Sequence, residues 1–217
     1  MIKTILSISS LVIGIVIYLF STLSGTIQGT AKPITQMIQT QDNIYANNSR
    51  IRLWVHFYSK VDSSALNNEQ GREFYTYPFI QRLIKNGIPI ERAKIYTEIP
   101  EIESKWKVHA VSSRGAIGIW QVMGPTARHY KFKDTDMFDP VIASNCACQY
   151  IAYLDSLFSG DVPSVLFSYN GGENNMLKLF KKYKTNDPWL IPFTSAETQE
   201  FAPKILAAYL CTKEHSK

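Results

Sequence analysis

The chain has 217 residues, of which 45% are hydrophobic and 19% charged, and carries a formal net charge of +5. That is long and apolar enough for one domain with a real core, and it excludes a disordered chain. The modest positive balance, without a dense Lys/Arg tract, suits plain solubility or an anionic surface or polymer, and no nucleic-acid partner is expected.

The chain opens with Met-Ile-Lys and continues "TILSISSLVIGIVIYLFSTLSG", an apolar run without a charge. A basic start followed by such a run predicts an export signal or a membrane anchor over residues 1–31. Its length favours an uncleaved anchor, with Gly29-Thr30-Ala31 as a weak cleavage site if it is removed. The rest of the chain is then expected in the periplasm or cell envelope, held to the membrane by this segment. Residues 32–50 are polar and read as a linker, and residues 51–90 as an N-terminal helical extension. Within that extension "RIRLWVHFYS" fits a helix or a strand, whereas Phe79, Ile80, Leu83 and Ile84 fall at helical spacing before the stop signal Asn86-Gly87.

Residues 91–217 form the main domain. Ile95, Ile99, Ile102 and Trp106 recur at i, i+4, i+7 and i+11, a helical stripe. "GAIGIWQVMGPTA" is a glycine-punctuated turn region, and Asp139-Pro140 caps a helix that places Ala147, Ile151, Leu154 and Phe158 on one face. "VPSVLFSYNGG" begins as a helix and ends at paired glycines, and "SAETQEFAPKILAAYL" gives a last helix. No strand alternation stands out, so the fold is mainly α. Cys146, Cys148 and Cys211 are an odd set that gives no disulfide framework and reads as buried free thiols. No Cys/His set completes a metal site, so no metal or cofactor is expected.

"EIPEIESKW" holds three glutamates, Glu98, Glu101 and Glu103. At about 100° per residue from the apolar stripe, Glu101 faces water and Glu98 and Glu103 lie on its two borders. A border carboxyl is partly desolvated, which raises its pKa and keeps it protonated as a general acid. Pro100 reads as a proline inside this helix, removing one hydrogen bond and kinking it. Geometry therefore sets Glu101 aside and leaves two candidates.

The stretch beginning at Ile99, "IPEIESKWKVHAVSSRGAIGIWQVM", resembles the lytic transglycosylases of the lysozyme-like superfamily, the SLT-domain family that includes goose-type lysozyme folds. The residues that carry the resemblance are Glu103-Ser104, Trp106, Ser112, Gly115, Ala116, Gly118, Gln121 and Met123. "SYNGGENN" adds Tyr169, Asn170 and Gly172, and "ETQEFAPKILA" adds a third element from Glu197. The upstream "FIQRLIKNGIPIERA" looks most like the membrane-bound transglycosylase D type. The resemblance implies non-hydrolytic cleavage of the β-1,4 bond between N-acetylmuramic acid and N-acetylglucosamine in peptidoglycan, leaving a 1,6-anhydro end. It implies that Glu103 is the catalytic acid and base. It also implies that Ser112, Gly115, Gln121, Met123, Tyr169, Asn170 and Glu197 bind substrate, with the Tyr169 hydroxyl orienting Glu103. Trp106 and Trp120 are candidates for stacking on sugars, Trp106 being the more readily assigned to the core. The expected partners are glycan strands, the membrane, and an envelope or secretion assembly.

Some positions depart from the family pattern. Gly124 stands where a proline is usual, Phe201 replaces a tyrosine, and the loop "KFKDTDMFDP" is short. No LysM wall-binding repeat follows. Two rival readings share the scaffold: a hydrolytic muramidase with Glu173 or Glu197 as second carboxylate, and a wall-binding protein without catalysis.

Overall fold

A computed structural model describes residues 42–58 and 69–215. The expected signal or anchor over 1–31 lies outside these residues, and none of the described helices is long and apolar enough to cross a membrane. The chain is already helical over 42–47, inside the segment read as a linker. Tyr45 is buried there, and the Asn48 side chain accepts from the Arg50 and Ile51 amides to open the next helix.

Helix α1 (Ser49–Tyr58) resolves the helix-or-strand ambiguity of the aromatic run. Helices α2 (Glu69–Lys85), α3 (Ile90–Tyr96) and α4 (Ile99–Ser104) follow. Gly87 closes the turn after α2 at φ 84°, as Asn86-Gly87 predicts. A small antiparallel hairpin pairs β1 (Ala116–Ile117) with β2 (Val122–Met123), in register Ala116 with Met123 and Ile117 with Val122. Strands of two residues are too short to show alternation, which is why the sequence reads only as turns. Helix α5 (Gly124–His129) and a 3-10 turn (Asp134–Phe138) lead to the long α6 (Pro140–Leu157). Then come α7 (Val162–Gly171), α8 (Glu173–Tyr183), a 3-10 turn (Pro188–Leu190) and α9 (Ala196–His215). The mainly α expectation holds.

One cap is the one that Asp139-Pro140 predicts, and a second, at Asp161, is not singled out by the sequence reading. Asp139 accepts from the Val141 and Ile142 amides, with Pro140 in the first turn of α6, and Asp161 caps α7 in the same way through Ser164. The core gathers Phe79 and Leu83 from α2, Ala147, Ile151 and Leu154 from α6, Val165 to Phe167 from α7, and Ile205 and Leu206 from α9. Trp120 sits in this core, 2% exposed, against Phe79 at 4.5 Å, with its indole N–H donating to Ser144 Oγ at 2.8 Å. It is therefore a packing residue and out of reach of a sugar. Cys146, Cys148 and Cys211 are buried free thiols, as expected.

Two polar devices fix the helices around α4. Arg92 on α3 grips Asp155 near the end of α6 with two hydrogen bonds, of 2.9 and 3.0 Å, and Tyr96 donates a third at 2.8 Å. Helix α1 lies along α9: Trp54 donates to Glu200 at 2.6 Å, Lys204 sits over the Trp54 ring, and Arg50 donates to the Gln199 carbonyl. The N-terminal extension is thus part of the wall that holds the start of α9.

Candidate active site

The helix expected to carry the stripe from Ile95 to Trp106 is two helices. A turn at Thr97 and Glu98 separates them, and Pro100 occupies the second position of α4. Proline costs no hydrogen bond there, because the first four amides of a helix have no intrahelical partner. The kink expected at Pro100 is therefore replaced by a fresh start. The face assignment changes with it. Glu101 does not face water: it is 5% exposed and paired with Lys105 at 3.2 Å, and Glu98 is 6% exposed. Both bear on Tyr58 of α1, whose hydroxyl pKa is driven up first by burial and then by charges that include these two carboxylates.

Helix α4 closes on Lys105 and Trp106, both in the left-handed region at φ 55° and 60°. Their amides bond back to the Glu101 and Pro100 carbonyls, each at 3.3 Å, a closure usually made by glycine. The Ser104 hydroxyl donates to the Ile119 carbonyl at 2.9 Å. This fixes the end of α4 to the hairpin loop, with Glu103 beside the joint.

Glu103 is a carboxyl that this frame perturbs strongly. Burial, and then the negative charge of Glu197, push its carboxyl pKa from an ordinary 4.5 to about 8. At neutral pH it is a carboxylic acid. Tyr169 of α7 is close enough for the Glu103 charge to help hold its hydroxyl pKa far above the ordinary value, after burial. Its hydroxyl, which the resemblance has orienting Glu103, donates its proton to the Trp120 carbonyl at 2.8 Å. Any bond between the two side chains must then use the tyrosine oxygen as acceptor, which suits a protonated Glu103.

The opposite wall is built by α7 and α9. Asn170 donates to Glu197 at 3.2 Å and accepts from the Thr198 hydroxyl at 2.7 Å. Phe201 stacks parallel to Tyr169 at 6.2 Å, so the aromatic ring is used for packing. Rings continue from Tyr169 to Tyr150 at 5.6 Å and Tyr130 at 6.3 Å. Tyr150 donates to Glu173 at 2.9 Å. Tyr150 and Thr198 are missed by the sequence reading. Thr198 has a signal, as the neighbour of Glu197 in the third motif; Tyr150 has none, being one tyrosine on a long helix.

The motif residues of the hairpin mostly build the hairpin. Ser112 Oγ accepts from the Ala116 and Arg114 amides, at 3.0 and 3.3 Å. Gln121, at φ 48°, donates to the Gly118 and Ala110 carbonyls, at 2.8 and 3.3 Å. A side chain at Gly118 would sit 1.9 Å from the Met137 carbonyl oxygen, so only glycine fits. Gly115 has φ 81° and open space around it; its backbone conformation, not crowding, asks for glycine. Met123 is 40% exposed at the end of β2. At Gly124 a Cβ would fall 2.6 Å from the Asp134 carboxylate, the end of an exposed side chain paired with Arg128, so a larger residue there would displace that pair and not the backbone.

The fold is mainly helical, and solved lytic transglycosylases share it. It aligns with the lytic transglycosylase Slt of Pseudomonas aeruginosa over 64% of this chain and 24% of that chain, with TM-score 0.52 and 20% identity. The 70 kDa soluble lytic transglycosylase of Escherichia coli aligns over 86% of this chain and 31% of its own, with TM-score 0.56 and 19% identity. At these identities the likeness is one of fold. Residues 85–192 match the Transglycosylase SLT domain. Among curated proteins, membrane-bound lytic murein transglycosylase D of Escherichia coli K12 is 30% identical over 168 residues, 74% of this chain and 36% of the relative. The chain thus spans about a third of that relative's length. The matched domain contains Glu103, the hairpin and Tyr169-Asn170; Glu197 and Thr198 come from α9, beyond its end.

Proposed function

We propose that the protein is a peptidoglycan lytic transglycosylase with Glu103 as its single general acid and base. The observation that carries this reading is the Glu103 carboxyl, held protonated up to about pH 8 by burial and by Glu197. A carboxylic acid at neutral pH can give its proton to the glycosidic oxygen as the C1–O bond breaks. The resulting carboxylate then takes the proton of the muramic 6-hydroxyl as O6 bonds to C1. No water enters, and one carboxyl serves both steps, unlike the usual pair of a glycosidase. Holding the 6-hydroxyl beside C1 makes the second step intramolecular.

The other residues have definite tasks in this reading. Tyr169 accepts a hydrogen bond from the acid form of Glu103. Asn170 and Glu197 form the polar wall, Met123 the exposed rim, and the Ser112 hydroxyl and Gln121 side-chain oxygen offer the bonds that the hairpin leaves over. Gly115 lets the backbone of the hairpin turn approach a sugar. Glu173, bound by Tyr150, is engaged in the tyrosine strip, and Glu197 is engaged by Asn170. The apolar N-terminal run supports a place in the cell envelope, with the wall polymer as partner.

Mass spectrometry of digested peptidoglycan tests the reading. The expected products end in 1,6-anhydromuramic acid, and Glu103→Gln releases none. Reducing muramic ends would instead make the protein a hydrolase.

A further inference from the structure

A pocket of about 370 Å³ opens between α2 and α6, and none of Tyr130, Tyr150 and Tyr169 lines it. Arg82 and Lys85 line it from the last turn of α2, Asn145, Cys148 and Gln149 from α6, and Phe132 from the turn after α5. The three α6 residues fall at i, i+3 and i+4 and share one helix face, while Tyr150, about 100° further round, joins the tyrosines. Two cations and no carboxylate line the pocket.

Basic residues in a last turn complement the helix dipole, which explains the charge but not its setting. Arg82 is half-buried and makes no ion pair or side-chain hydrogen bond among the described residues. It lies near enough to Cys148 to oppose the rise in thiol pKa that burial causes. Asn145 and Gln149 likewise spend no side-chain amide group inside the described residues. A partly desolvated guanidinium beside unspent amides is a recognition site for a planar anion, which its fork binds through two parallel hydrogen bonds. Each amide offers a carbonyl acceptor and an NH2 donor, which together suit a ligand presenting both N–H and C=O groups, as a peptide does and a bare phosphate does not.

We propose that this pocket binds a peptide ending in a free carboxylate. Arg82 grips the carboxylate, Lys85 adds charge, Asn145 and Gln149 pair with the adjoining peptide group, and Phe132 and Cys148 wall a small apolar side chain. The peptide branches of a wall polymer are one source of such ends; that link rests on the function proposed above, whereas the site itself does not.

Ligand-observed NMR with the full chain tests the site without reference to turnover. The probes are N-acetyl-alanyl-alanine, its C-terminal amide, and inorganic phosphate. The acid is expected to bind with a millimolar Kd, and the amide at least about tenfold more weakly. Arg82→Gln is expected to lose about tenfold in affinity for the acid with an unchanged unfolding temperature. Equal binding of acid and amide, unchanged binding by the variant, or displacement of the peptide by phosphate at equal concentration would overturn the proposal. Because the readout is affinity, its failure leaves the catalytic reading standing, and the converse.

Discussion

Replacing Glu103 by glutamine is expected to stabilise the protein at pH 8 and leave its stability unchanged at pH 4. In the unfolded chain this carboxyl loses its proton near 4.5, whereas the folded protein holds it to about 8. Between those values the folded state binds more protons, so stability falls as pH rises. Below 4.5 both states are protonated and the group contributes nothing to the pH dependence. The ceiling is about 1.4 kcal/mol for each pH unit in that window, or about 5 kcal/mol across it. Relaxation of a side chain that keeps some solvent contact lowers this, and about 2 kcal/mol is expected at pH 8. Glutamine copies the shape of the neutral acid and never ionises, so the variant escapes the penalty. For a chain of this size the gain is about 5 °C in Tm. Thermal unfolding of both proteins at pH 4, 6 and 8 measures it. A Tm difference that is the same at all three pH values would refute the buried-acid argument.

Two further outcomes follow from the same contacts. Glu197→Gln removes a negative charge that raises the Glu103 pKa, so the alkaline limb of the pH–rate profile, expected near 8, moves to lower pH; a limb that stays in place would separate the two carboxyls. Asp155→Ala leaves Arg92 and Tyr96 without the carboxylate they share, and is expected to cost about 3–5 kcal/mol by urea unfolding; a loss below 1 kcal/mol would reduce the triad to a surface ion pair.

Much of the helical frame is legible in the sequence because its signals are local. Asp139-Pro140, Asn86-Gly87 and the stripe Ala147, Ile151, Leu154 each state their role within a few residues. The hairpin is not legible as strands, since its two-residue strands are held mainly by Gly118, Gln121 and Ser112. The site is legible in its membership and less so in its wiring. Glu103, Tyr169, Asn170 and Glu197 are brought together, yet the Tyr169 proton goes to Trp120 and the Asn170 oxygen to Thr198. Such partners are set by how α7 meets α9, and no spacing within either helix encodes that.

The misplacement of Glu101 has a sharper cause, and it lies in Pro100. A continuous helix through this region would set the proline ring against the Tyr96 carbonyl, four residues back, and forfeit a hydrogen bond. Ending α3 at Tyr96 and restarting at Ile99 avoids both costs, since Pro100 then needs no intrahelical partner. The restart resets the angular phase, so a wheel drawn from Ile95 no longer describes the residues beyond Thr97. Glu101 turns inward to join Glu98 near Tyr58, while Glu103 comes to the side of α4 that meets Tyr169 and Glu197. A short helix also frees the residues that follow it: Lys105 and Trp106 turn left-handed at once, and Ser104 is left to lock the joint onto Ile119. The proline that looked like a flaw in one long helix is the reason a glutamate can stand at the end of a short one, partly buried and uncharged.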